Sequence, residues 1–261
     1  MRVIRIFLLH FQVVFAERSR TLVWFLTSLI GPLTMILFWK GAGNRIVNWN
    51  FSQVTAYYFL LIIATALLMC HVEDDVANLD IHEGNLVRYL IRPFPYFWMK
   101  FLEDISWRLI QGIFGIIVLF FAIIFFGMFF SMTTNPPTIL LACLIALLSF
   151  FMTFIYKMVL GIAGFWMSEM RGLFEFSDML MFITAGYIAP LFLFPQQLER
   201  IAYFLPFSYM IYFPVVSFQG KFSTGILLSI IGIQLLWICL FACLYGFLWK
   251  KGVKKFTGVG Q

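Results

Sequence analysis

The chain has 261 residues, of which 62% are hydrophobic, 20% aromatic and 11% charged, and its formal net charge is +6. Soluble domains carry roughly 45–50% apolar and about 25% charged residues, so this composition excludes a water-soluble protein and predicts an integral membrane protein. The basic residues flank apolar runs and read as topology signals and headgroup contacts, which argues against nucleic acid as a partner.

Mean hydropathy is +0.95, and the apolar runs leave no polar interval long enough for a separate folded domain. The expectation is an all-α membrane protein in three parts. Residues 1–20 form an amphipathic interfacial helix, residues 21–249 a six-helix transmembrane domain, and residues 250–261 a basic tail.

The opening stretch sets Ile4, Phe7, Leu8, Phe11, Val14 and Phe15 toward one side and Arg2, Arg5, Gln12, Ser19 and Arg20 toward the other. A signal peptide is the competing reading, but His10 and Gln12 break the apolar segment and Glu17-Arg18-Ser19-Arg20 replaces the small residues of a cleavage site. The first span covers residues 21–39 and is bent at Gly31-Pro32, and the second covers residues 54–70.

Between the second and third spans lies NLDIHEGNLVRYLIRP, residues 78–93, too polar to cross a bilayer. Leu79, Leu86, Leu90 and Ile91 fall near one helical face, while Asp80, Glu83, Arg88 and Arg92 are expected to stay in water. Gly84 permits a sharp bend, and Pro93 ends any helix because it lacks an amide donor. Such an element, on a tight loop, can act as a lever against a neighbouring protein. The plainer alternative is a surface helix that joins two spans.

The third span covers residues 109–130, with Glu103-Asp104 and Arg108 expected to cap and neutralise its start. The fourth begins near Thr138 after the Asn135-Pro136-Pro137 turn and ends between Tyr156 and Trp166, with Lys157 expected to snorkel at the interface. Residues 168–178 read as a polar turn. The fifth run, residues 179–194, falls short of the roughly 20 residues a full span needs, and Gly186 and Pro190 interrupt it. Pro195, Pro206 and Pro214 follow among aromatic residues, so residues 194–220 are expected to form short helices that dip into or cap the outer leaflet. The sixth span covers residues 225–248 and leads to Lys250-Lys251-Gly252-Val253-Lys254-Lys255.

Six spans with the opening stretch inside put only Lys40, Arg45, Arg200 and Lys221 outside, of 18 Lys and Arg, so both termini are expected to be cytosolic. Cys70, Cys143, Cys239 and Cys243 sit in apolar runs without ligand spacing and are expected to be buried thiols. The pair Cys239 and Cys243, one turn apart, reads as packing rather than a soft-metal site.

No P-loop, HExxH, GxSxG or Rossmann fingerprint occurs. His71, Glu73, Asp74, Asp75, Asp80 and His82 form a dense ionisable cluster, but at a helix exit they read as solvated charge rather than a metal site. A membrane enzyme would need convergent nucleophiles or carboxylates, whereas Glu169, Glu175 and Asp178 gather only at a turn. An ion-coupled secondary transporter would need intramembrane ionisable residues, of which Lys157 is the sole candidate.

The order of a basic amphipathic helix, two spans, IHEGNLVRYLIRP, two more spans, Phe165-Trp166, GYIAPLFLFP, LPFSYMIYFPV and a WKKGVKKFTGVG tail resembles the permease subunits of the ABC-2 family. The likeness covers nearly the whole chain, and its LPFxxxxYFP element is specific in combination with the loop; Asn85 stands where the loop often carries an acidic residue.

That resemblance implies a six-helix subunit of a bacterial inner-membrane ABC exporter. It has no cofactor in this chain and no catalysis of its own, and ATP and Mg are held by a separate ATPase dimer. A second permease, more readily a related chain than a second copy, would complete the pathway. Leu79, Ile81, Glu83, Gly84, Leu86, Arg88, Leu90, Arg92 and Pro93 would form the coupling helix that docks on the ATPase. Tyr187, Pro190, Phe192, Phe194, Phe207, Tyr209 and Tyr212 would form an outer gate or substrate path, or else an interfacial aromatic belt. The scarcity of central charge favours an amphipathic or lipid-like substrate, with a glycan or lipid-linked glycan as the alternative.

Overall fold

The computed structural model describes residues 2–42, 51–126 and 135–256, and these residues contain helices, turns and no strand. Helix α1 (Arg2–Ala16) passes through a turn at Glu17 into α2 (Arg18–Ala42), which contains Pro32. Pro32 sits inside the helix without ending it. The expected calls on residues 43–50, 127–134 and 257–261, which include Arg45 and the end of the third span, lie outside the described residues.

Helix α3 (Phe51–Leu68) is the central element: Val54, Tyr57, Tyr58, Leu61 and Ile62 are fully buried. It is apolar all round, as a helix surrounded by others must be. Phe25 of α2 and Phe114 of α6 (Tyr96–Phe126) close on Phe59, Ile62 and Ala66. Helices α7 (Pro136–Ile162) and α12 (Thr224–Gly252) form the most extensive helix pair.

Among the described residues, five helices are long and apolar enough to cross a membrane: Thr21–Gly41, Phe51–His82, Tyr96–Phe121, Pro136–Phe165 and Thr224–Gly252. The fifth predicted run is not one of them. Its helix, α8 (Arg171–Thr184), starts earlier than expected, so residues 171–178 are helical rather than a turn. Phe174 and Ser177 are buried while Arg171 and Glu175 pair on the exposed face, an amphipathic pattern that polarity alone conceals. The chain then turns at Gly186, with φ +85°, and passes through Pro190 and a 3₁₀ turn, Leu191–Leu193. It returns as α9 (Gln196–Phe204), α10 (Pro206–Met210) and α11 (Tyr212–Phe218).

Two other boundaries move for one reason. Helix α6 begins at Tyr96, not near Leu109, and runs through Lys100, Glu103, Asp104 and Arg108. Lys157 lies within α7 and is 0% exposed, so it does not snorkel. Charges deter a helix from burial only when they lack partners, and all of these have them. Among the cysteines only Cys70 is buried; Cys143, Cys239 and Cys243 lie exposed on the outer faces of α7 and α12, where apolar surroundings do not require protein packing.

Candidate coupling site

The segment between α3 and α6 is an inward-tied element. After a break at Met69–His71, α4 (Val72–Asp74) continues as a π-helical stretch, Asp75–His82. Gly84, with φ +78°, then reverses the chain into α5 (Val87–Leu90). A side chain at Gly84 would be strained in that conformation, so the glycine read from the sequence is the bend. The π-helical stretch lies against the end of α7 because two glycines allow it. A Cβ at Gly161 would stand 2.7 Å from Val76 Cβ and one at Gly164 would stand 3.2 Å from Ala77 Cα.

The predicted site residues divide into two sets. Leu86 is fully buried and Ile81 nearly so, and both pack with Val72, Val76, Tyr96 and Phe154. Leu79, Val87, Leu90 and Ile91 are exposed, Ile91 at 79%, and Arg88, Arg92 and Pro93 are exposed beside them. Gly84 is half-buried at the bend, and Glu83 beside it is exposed. The expected single face of Leu79, Leu86, Leu90 and Ile91 is therefore split, because the bend at Gly84 separates two short helices. Leu86 anchors, and the others remain outward.

Asp80, expected in water, is 2% exposed. Lys100 Nζ of α6 lies 2.8 Å from its Oδ2 and 3.2 Å from Glu103 Oε2, and the Tyr96 hydroxyl donates to the same Asp80 oxygen at 2.6 Å. The Tyr89 hydroxyl donates to Glu103 at 3.2 Å, and burial raises that phenol's pKa above its ordinary value. His10 of α1 approaches Glu103 at 3.5 Å. The ring nitrogen Nε2 of His82 faces the carbonyls of Gly164 and Met167 at 3.1 and 2.9 Å, so it donates to both.

A second ionic group sits deeper. Lys157 Nζ bridges Glu73 Oε1 at 2.5 Å and Asp178 Oδ1 at 2.8 Å, joining α4, α7 and α8 at one point. The Glu73 side chain is 5% exposed and that of Asp178 48%. Arg108 pairs with Asp104 and donates to the carbonyls of Leu68 and Phe150 at 3.1 and 2.9 Å. Leu68 ends α3 and its carbonyl lacks a helical partner, so the guanidinium caps that helix end. Asp104 and Arg108 thus neutralise one another inside α6 rather than at its start.

The ionisable cluster read from the sequence is dispersed. Glu73 and Asp80 serve different lysines, Asp74 accepts from Asn78 at 2.8 Å, and His82 bonds α7's terminus. Among the described residues no group of three or more His, Cys, Asp or Glu is placed to hold a metal.

The aromatic segment beyond α8 is also more buried than a pathway lining would be. Phe207, Tyr209 and Tyr212 are 5%, 5% and 2% exposed, and Pro190 is buried; Tyr187, Phe192 and Phe194 are half-buried. Tyr212 meets Tyr57 and Phe207 meets Tyr156, so these rings are core. The broken backbone is satisfied from the regular helices. Tyr57 and Tyr58 donate to the carbonyls of Gly186 and Ile188 at 2.7 and 2.8 Å, Ser149 donates to Met210, and Gln234 donates to Tyr209 and Ile145 at 2.9 and 3.1 Å. Irregular backbone within a membrane domain is stable on this condition.

Sequence reasoning missed Tyr57, Tyr58, Ser149 and Gln234, and missed Glu73 and Asp178 as partners of Lys157. A usable signal existed for the last pair: a lone cation in an apolar run requires a carboxylate from elsewhere. A family model described as "ABC-2 family transporter protein" matches residues 22–260. No curated protein matches the chain.

Proposed function

This chain belongs to the ABC-2 transporter family and is a multi-pass membrane permease component of an ABC transporter. From that premise we propose that it is the membrane subunit of an exporter in a bacterial cytoplasmic membrane, driven by a separate ATPase dimer that holds ATP and Mg. The observation that carries this reading is the outward set Leu79, Val87, Leu90 and Ile91 with Arg88 and Arg92 on a segment whose inner side is ionically tied to α6, α7 and α8. An element that presents apolar surface outward while its own core is anchored suits a lever: force on α5 is delivered to α3 through α4 and to α8 through Lys157. Both termini would then be cytosolic, with α5 and the end of α12 on one side.

The substrate in this reading is amphipathic or lipid-like, since the ionisable side chains of the described core are consumed by one another. Phe207, Tyr209 and Tyr212 brace the broken hairpin; Tyr187, Phe192 and Phe194, half-buried at its tip, remain as the outer-gate residues. A second permease subunit would pack on α12. Gly225, Ser229, Gly232, Cys239, Cys243 and Gly246 follow a three-four spacing on a face with no neighbour at the three glycines. Small residues at that spacing suit close helix approach in membranes.

The test is the double variant Leu90→Asp with Ile91→Asp, purified with its ATPase partner. The variant should insert normally but lose ATPase co-purification and export, whereas Leu86→Asp should fail to fold. Normal export by the double variant would remove the lever reading. Oxidative cross-linking through native Cys239 and Cys243 separates a second copy, which forms a disulfide dimer, from a related chain, which does not.

A further inference from the structure

Beside the outward face of α5 lies a groove of about 600 Å³ between residues 89–97 and the last turns of α12. This volume falls within the roughly 300–1,000 Å³ of small-ligand sites. Tyr89, Pro93, Tyr96, Tyr245 and Trp249 supply its walls and Arg92 its charge. The rings are ordered by stacking: Trp249 lies 4.9 Å from Tyr96 at 7° and 5.9 Å from Tyr245 at 12°.

Two of the wall hydroxyls are turned elsewhere. Tyr96 spends its hydroxyl on Asp80 and Tyr89 on Glu103, and Lys100 neutralises both carboxylates. Apart from Arg92, the side chains that line the groove are aromatic, proline and leucine. Arg92 has no carboxylate partner among the described residues; its guanidinium sits 5.7 Å over the Tyr89 ring. Lys250 and Lys251 follow Trp249 directly and are exposed.

An aromatic groove with a cationic rim suits an amphiphile with an anionic head and an apolar tail, and the basic rim disfavours cationic guests that aromatic faces alone would accept. Its place is the end of a membrane-length helix, Thr224–Gly252, where chain and headgroup regions meet. Basic pockets between helices at that depth suit anionic headgroups. We propose that this groove is a binding site for an anionic phospholipid of the surrounding leaflet, with an acyl chain against Trp249 and the phosphate at Arg92. Bound there, lipid would buttress α5 from behind, because Leu90 and Arg92 belong to both surfaces. The proposal rests on the membrane orientation given above but not on export or on the ATPase.

The test uses the full chain in nanodiscs with brominated acyl chains, which quench nearby tryptophan. Brominated phosphatidylglycerol should produce a saturable quenching component at low mole fraction that brominated phosphatidylcholine does not. Trp249→Phe, which keeps the stack, should remove that component. Arg92→Gln should shift its midpoint by about fivefold, the effect of one interfacial charge. Equal quenching by the two lipids, or a component unchanged by Trp249→Phe, would overturn the proposal.

Discussion

The two irregular regions of this chain are held in different ways. Around α4, the π-helical stretch and α5, the ties are ionic: Lys157 to Glu73 and Asp178, Lys100 to Asp80 and Glu103. Around the broken hairpin of α8 to α11, the ties are neutral: hydroxyls of Tyr57, Tyr58 and Ser149 and the amide of Gln234 meet backbone carbonyls. Neutral bonds to backbone fix a geometry and cost little to maintain. Buried ion pairs stabilise weakly overall, yet removing one partner is costly, so they behave as connections whose state depends on both ends. A transporter needs a fixed part and a part that can be pulled, and the chemistry of the ties separates the two.

The largest expected effect comes from breaking the ionic side. Lys157→Met leaves the Glu73 carboxylate buried without a counter-charge, which should destabilise by about 3–5 kcal/mol. The contribution of Asp178 is smaller because its side chain is 48% exposed and solvent screens it. The double variant Lys157→Met with Glu73→Gln should recover most of the thermal stability, measured by scanning fluorimetry in detergent, while transport stays lost. Recovery of transport with stability would mean that the bridge is scaffolding and not part of the lever.

On the neutral side, Gly186→Ala places a side chain at φ +85° and sets its Cβ 2.4 Å from the Tyr57 hydroxyl. Strain of this kind costs about 1–3 kcal/mol, and the displaced tyrosine would lose its bond to the carbonyl. A lowered melting temperature is the expected result, and an unchanged one would show that the turn can re-form elsewhere. Ser149→Ala should cost about 1 kcal/mol, the net value of a single bond, without altering the ratio of ATP hydrolysed to substrate exported. A change in that ratio would blur the division between the two regions.

The division also explains what could be read in advance. Periodic apolar length identified α2, α3, α7 and α12 within a few residues, and Gly84, Gly186 and Pro190 marked real breaks, because glycine and proline act locally. The partners of the charges were not legible. Lys157 and Glu73 are 84 residues apart, and nothing in either's own surroundings distinguishes a paired charge from a solvated one. The same blindness made Asp80 a surface residue, Leu86 a docking residue and Tyr212 a gate, since burial on an irregular segment depends on which helix lies opposite.

The smallest expected effect tests whether burial, rather than charge itself, gives the ionic side its weight. Helix α8 carries two acidic residues with cationic partners, Glu175 and Asp178, within one turn of each other. Glu175 pairs with Arg171 at 2.8 Å with both side chains exposed, at 66% and 84%, and Asp178 pairs with Lys157, which is fully buried. The distances are alike, so distance alone predicts alike effects. Water competes fully at the first pair and holding two long side chains together has an entropic cost, so Arg171→Ala should leave the melting temperature unchanged. Raising the salt concentration should likewise do nothing that depends on Arg171. If Arg171→Ala lowered stability as much as Lys157→Met, α8 would be held by its overall charge balance, and the bridge at Lys157 would lose its claim to be the connection between the two regions.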